Sequence, residues 1–133
     1  MSVRCLLDTN AASYAINKKS AAMDRHLAKT PMAELGISAV TEGELRYGAA
    51  RSGSAPLQST VEQFLLGVTI FPWDSEAAGR YGELRATLER EGRLMGSLDM
   101  MIAAQALALG LILITNDRAF GRIKRLKTED WTE

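Results

Sequence analysis

Cysteine is almost missing from this chain. The 133 residues hold one, Cys5, so no internal disulfide can form, and the expected setting is reducing and cytoplasmic. Histidine is equally scarce. His26 stands alone, and with one histidine and one cysteine in the whole chain a zinc site is nearly excluded. Neither sign of charge is in excess: 16 Lys and Arg balance 16 Asp and Glu, so any attraction for a polyanion must come from a local patch. Long apolar runs are lacking too. The best candidate, residues 100–115, is interrupted by Gln105 and Gly110 and reads as a helix followed by a strand, which excludes a membrane span. The N-terminus carries no apolar signal segment, and there are no repeats or low-complexity tracts.

What is present is an ordinary globular composition, 47% hydrophobic and 24% charged, read as one domain over residues 1–133 with a real core. Strands are expected at 3–7, 35–38, 68–71 and 111–115. The first and last are nearly all apolar, as strands covered on both faces are. Helices are expected between them, over 11–18, 40–51, 75–91 and 97–110. The third is the clearest: Ser75 stands at its cap, Ala78, Tyr81, Leu84 and Leu88 recur at helical spacing, and Glu76/Arg80 and Arg85/Glu89 are spaced for ion pairs. Ser97 is expected to cap the last helix and Gly110 to end it. The Gly-, Ser- and Pro-bearing stretch 51–59 reads as the nearest thing to a linker. Met95, Met100, Met101 and Tyr47 are assigned to the core, with Tyr47 also a candidate for stacking on a base. Strands alternating with helices imply right-handed crossovers and a mostly parallel sheet, an α/β architecture.

Four acids share a property in this scheme. Asp8 ends the first strand in "LLDTN", Glu44 lies early in the helix after the second strand, Asp99 sits in the first turn of the helix opened by Ser97, and Asp117 follows the last strand. In a parallel sheet, strand carboxyl ends and the starts of following helices lie at one edge, where such sheets bind ligands. Each acid also has a plainer use as a helix cap or turn residue, worth a few tenths to about 1 kcal/mol. Converging carboxylates, by contrast, repel unless a cation sits among them, and an oxygen-rich, histidine-poor set suits Mg²⁺ or Mn²⁺. Such an ion serves phosphate chemistry by neutralising non-bridging oxygens and acidifying water. Thr9, Asn10, Ser38, Thr115 and Asn116 flank the acids as supporting polar groups.

Those stretches, "LLDTN", "ISAVTEGELRYG", "MGSLDMMIAAQAL" and "LITNDRAF", in that order and spacing, resemble the four motif regions of PIN-domain ribonucleases, above all the VapC toxins of bacterial toxin–antitoxin pairs. The likeness extends through residues 71–92 and the closing "KTEDW". It implies a three-layer α/β/α fold, a Mg²⁺- or Mn²⁺-dependent endoribonuclease acting on structured RNA such as tRNA, a homodimer, and a VapB-like antitoxin that carries a DNA-binding domain. Mapped by motif, it implies a catalytic metal site of Asp8, Glu44, Asp99 and Asp117. Asp8 and Asp99 would hold the ion directly, Glu44 and Asp117 directly or through water. The preference for Glu44 over Glu42 comes from the resemblance. The chain departs from many members in having Ala119, not an acid, before the phenylalanine of the last motif. Arg118, Arg122, Lys124, Arg125 and Lys127 form the only dense basic stretch. It reads either as RNA-backbone contact or as a solvated or partner-facing surface. Two other classes compete with this reading: an inactive PIN scaffold used for binding, and a receiver-type signalling domain. The latter would need paired acids after the first strand and a lysine after the last, and this chain has neither.

Overall fold

The structure, a computed structural model, describes residues 2–133. Its centre is one sheet of five parallel strands: β1 (Cys5–Leu7), β2 (Leu35–Ser38), β3 (Thr69–Phe71), β4 (Ile112–Ile114) and β5 (Thr128–Glu129), in spatial order β3-β2-β1-β4-β5. The helices are α1 (Thr9–Asn17), α2 (Ala21–Lys29), α3 (Ala39–Ser52), α4 (Ala55–Gly67), α5 (Ser75–Arg90) and α6 (Ser97–Leu109). Strand alternation divides the core in two. Cys5, Leu7 and Ile114 point to one face and pack with residues of α1 to α4, whereas Leu6 and Leu113 point to the other and pack with α5, α6, Phe120 and Ile123. The expected three-layer α/β/α arrangement with a parallel sheet is therefore what the chain builds. The strand order also departs from the 2-1-3-4-5 order of receiver-type folds.

Several local expectations are corrected, each for a physical reason. The stretch 51–59 is not a linker. Gly53 takes a left-handed φ of 64° to end α3, and Ser54 accepts the Leu57 N–H at 3.2 Å to start α4, so the breakers there are cap residues. Asp74, not Ser75, caps α5 through the Ala77 N–H at 3.0 Å, and Gly96, not Ser97, precedes α6. The Glu76/Arg80 and Arg85/Glu89 pairs do not form among the described residues; Arg85 donates to the Tyr81 hydroxyl instead. Met100 is buried and Met95 packs against it, but Tyr47 is 66% exposed and no part of the core.

The short strand β5 and the C-terminus were not expected. β5 pairs with β4, the Thr115 N–H donating to the Glu129 carbonyl at 3.0 Å. Trp131 then tucks against the α1–α4 layer, 3% exposed, its ring stacked on His26 of α2 with centroids 5.1 Å apart and planes at 6°. Its indole N–H donates to Glu129 at 2.9 Å, so the polar end of the ring is satisfied while its body is buried. Replacing Trp131 with alanine is expected to cost about 3–5 kcal/mol and lower the urea midpoint with an unchanged m-value. A loss below about 1 kcal/mol would show that the C-terminal segment is not part of the cooperative core.

Candidate metal centre

The chain leaves β1 towards β2 and β3 under the α1–α4 layer, then crosses back to β4 and β5 under α5 and α6. The strand order reverses between β1 and β4. That is the topological switch point of an open α/β sheet, where the carboxyl ends of adjacent strands diverge into a crevice. Asp8 follows β1 and residues 115–117 follow β4, so the switch point sets them side by side; the Asp8 N–H donates to the Ile114 carbonyl at 3.1 Å.

Asp8 performs the plainer job as well. Its Oδ1 accepts the Ala11 N–H at 2.7 Å and caps α1. It is only 4% exposed, and burial pushes its carboxyl above the usual carboxylate range. Hydrogen bonds from Thr115 and Ala11 oppose that shift, and the charges of Asp99 and Asp117 add to it. Asp99, in the first turn of α6 and half-buried, is raised by burial first, then by Asp117 and Glu44. The direction of α6, which the sequence left open, is thus the one that brings Asp99 to this edge. Asp99 and Asp117 lie within electrostatic reach of Asp8, Asp117 and Glu44 within reach of Asp99, and none of the four is in an ion pair among the described residues.

The polar side chains around the acids have definite tasks. Thr9 Oγ1 donates to Glu44 Oε1 at 2.5 Å, with the buried Thr41 hydroxyl 3.3 Å away on its other side. Glu42 points elsewhere and pairs with Arg46 at 3.0 Å. The structure therefore separates two glutamates that periodicity could not. The Thr115 hydroxyl, bonded to Asp8, also accepts the Asp117 N–H at 3.0 Å and so ties the first and last acids together. Ser38 is committed to capping α3 through the Val40 N–H, and exposed Asp117 uses one oxygen to accept the Ala119 N–H. Asn10 and Asn116 are exposed, and their side chains engage no protein partner among the described residues.

A cation fits this arrangement on its chemistry. The donors are all oxygens, Cys5 is buried within β1, and His26 is occupied by Trp131, so no soft ligand faces the edge. The acids do not close into a cage of three or more ligands among the described residues. Mg²⁺ keeps several waters and needs only one or two direct carboxylates, so an open half-shell suits it better than a closed cage. The basic stretch is split by the fold. Arg118 lies beside Asp117 and Asp130, whereas Arg122, Lys124, Arg125 and Lys127 continue down the α5 flank. Asp130 and Glu133 share a cleft with Asp117; Asp130 belongs to the closing "KTEDW" stretch but is not among the site residues that the motifs imply, and both reach the edge through β5.

Raised pKa values for Asp8 and Asp99 mean that the native state holds protons the unfolded chain has released. The resulting penalty is fully present above the native pKa and relieved as pH falls towards the ordinary carboxylate value of about 4. In EDTA at pH 7, Asp99→Asn is expected to melt a few degrees above wild type, since removing one screened repulsion is worth at most about 1 kcal/mol. The gap should narrow as pH is lowered towards about 4. A mutant that melts below wild type at pH 7 would mean that the α6 dipole outweighs the repulsion and the acids are separate caps.

The chain is similar to known proteins over almost its whole length. The family model described as "PIN domain" matches residues 5–126. The chain is 37% identical over 132 residues to the tRNA(fMet)-specific endonuclease VapC of Shigella flexneri, covering 98% of this chain and 99% of that protein. It is 36% identical to ribonuclease VapC2 of Rickettsia felis, covering 95% and 96%. Among solved structures it superposes on VapBC2 from Rickettsia felis bound to a promoter DNA fragment, with TM-score 0.87, 34% identity and 97% and 99% of the two chains covered. It also matches DNA-bound VapBC from Salmonella typhimurium, with TM-score 0.88, 33% identity and 97% and 98% coverage.

Proposed function

From its membership of the PIN-domain family, to which this chain belongs, we propose that it is a divalent-metal-dependent endoribonuclease, the toxin of a VapBC-type pair, acting as a single cytoplasmic domain on structured RNA. The observation that carries the reading is the convergence of Asp8, Asp99 and Asp117 at the sheet's switch point, with Asp8 and Asp99 both raised by burial and by neighbouring acids and neither in an ion pair among the described residues. Asp8 and Asp99 would hold Mg²⁺ or Mn²⁺, with Glu44 and Asp117 bound directly or through water. Once bound, such an ion neutralises phosphate oxygens and lowers the pKa of water. The chain's own groups do the rest. Thr9 fixes the Glu44 carboxylate, Thr115 holds Asp8 against Asp117, and the burial of Asp8 keeps its charge poorly screened. A tRNA substrate is supported by the specificity in the name of the Shigella relative.

Apolar surface supports both expected partners. Tyr47 on α3, Leu98 at the start of α6 and Leu94 in the loop before it are exposed, and α3 packs on α6, which suits a homodimer face. Met32 and Leu66 are exposed near the end of α4, where an antitoxin segment would find apolar anchors. The antitoxin would then reach the acids with an Arg or Lys that takes the place of the metal's charge.

Purified protein is expected to cut tRNA with Mg²⁺ or Mn²⁺ and to stop in EDTA. Asp8→Asn and Asp99→Asn should each lose several orders of magnitude in rate while keeping a native circular dichroism spectrum. Undiminished cutting in EDTA, or near-wild-type turnover by either mutant, would overturn the metal assignment. In cells, the chain expressed alone is expected to arrest growth, and co-expression with the antitoxin from its neighbouring reading frame should restore it and yield a co-purifying complex. Harmless expression and elution as a lone monomer would count against the toxin reading and the dimer.

A further inference from the structure

The basic residues that the fold carries away from the acids do not scatter. Arg122, Lys124 and Arg125 line one wall of a groove whose other wall is α5, and Arg80 of α5 faces them. The groove continues into a second cleft of about 310 Å³ lined by Arg80, Arg125 and Lys127 over a floor of Ala106, Leu107 and Leu111. That second cleft includes Gly110 and Leu111, which precede β4, so it lies at the sheet edge opposite the acids. The strand and its flanks separate the two edges by on the order of 15 Å at about 3.3 Å per residue. The upper end begins at Arg122, next to Gly121, which lines the cleft beside Asp117. All five cations are exposed, and none is in an ion pair among the described residues. Two carboxylates, Glu83 and Glu91, share the upper groove; the lower cleft holds three cations and no acid.

We propose that the groove between α5 and residues 122–127 is a second RNA-binding site, in which Arg80, Arg125 and Lys127 grip the sugar-phosphate backbone of the substrate several nucleotides from the bond that is cut. The proposal rests on the nuclease reading given above. Two observations favour RNA over an acidic protein segment. The cations start at the catalytic edge and run continuously away from it, as a backbone leaving the scissile linkage must. The chain as a whole is also electrically neutral, so affinity for a polyanion has to be concentrated in such a track. The site accounts for recognition of a large folded RNA by an enzyme whose acids touch one linkage: phosphate contacts position, and the metal edge cuts.

The test uses the intact protein and Arg80→Gln/Lys127→Gln; Arg125 is left alone because its φ of 71° makes substitution there a backbone question as well. Binding of a tRNA transcript to the non-cutting Asp99→Asn protein is measured between 50 and 200 mM KCl, a range over which phosphate contacts weaken steeply. Adding the double substitution should weaken binding about tenfold and reduce the slope of log K against log salt by about 1.5, from ~0.7–0.9 per lost phosphate contact. Glu83→Gln/Glu91→Gln, which removes the only carboxylates of the groove, should tighten it. In the cutting protein, Arg80→Gln/Lys127→Gln should raise KM for tRNA and leave kcat, while a dinucleotide, whose single linkage cannot reach the lower cleft, is cut as by wild type. An unchanged salt slope and KM overturn the proposal. So does a double variant that still binds RNA normally but no longer co-purifies with the antitoxin, which would assign the groove to an acidic protein segment. Should wild type fail to cut either substrate, the nuclease reading falls, and the binding arm alone decides the groove.

Discussion

The carboxylate of Asp8 is held where water barely reaches it, at the end of the central strand, and most of the architecture answers to that placement. Burial alone would favour its protonated form. The backbone N–H of Ala11 and the Thr115 hydroxyl offset part of that cost by bonding the charged form, and Asp99 and Asp117 add to it. The result is an anionic edge whose charges are fixed by strands and helix starts. Side-chain attraction does not assemble it. An arrangement of this kind is costly without a cation and favourable with one.

The two faces of the sheet divide the labour. The α1–α4 layer carries Thr9, Thr41 and Glu44 and receives the C-terminal tryptophan, so it sets the geometry of one side of the acid edge. The α5–α6 layer supplies Asp99 at its upper end and an array of exposed cations, unpaired among the described residues, along its flank. A neutral chain thereby separates its charge, acids at one edge and cations leading away to the other. Such a separation suits a polyanion that must be both gripped and cut, because attraction on the flank offsets repulsion at the site.

Identity of about a third with VapC relatives over nearly the whole chain, and superposition on VapBC structures, show the family. The particular geometry adds what likeness alone does not. Glu42 and Glu44 differ in partner, Arg46 against Thr9, so only one of them is available to the edge. Ser38 and one oxygen each of Asp8 and Asp117 serve as caps, and on the proposed metal reading the same two acids also build the site. Both uses exploit the same orphan N–H groups at helix starts, which is why an acid there is poor evidence for either by itself.

The sequence by itself determined the alternation of strands and helices, the parallel sheet and the edge to which Asp8, Glu44 and Asp117 belong. Periodicity and cap residues are local signals, and the chirality of crossovers fixes the rest. It could not determine the direction of α6 relative to Asp8, because a helix start carries no record of which sheet edge it meets. Nor could it find β5, whose two residues hold their place only by pairing with β4, or Trp131 against His26, a contact across 105 positions. Tyr47 was misread because an aromatic at helical spacing is equally compatible with a core and with a surface; only the packing of α3 against its neighbours decided for the surface. The basic stretch is legible as a run of charge, but its division between the acid edge and the α5 flank, and its pairing with Arg80 some forty residues earlier, exist only in the folded chain. Those features rest on long-range juxtaposition, which local sequence preferences do not encode.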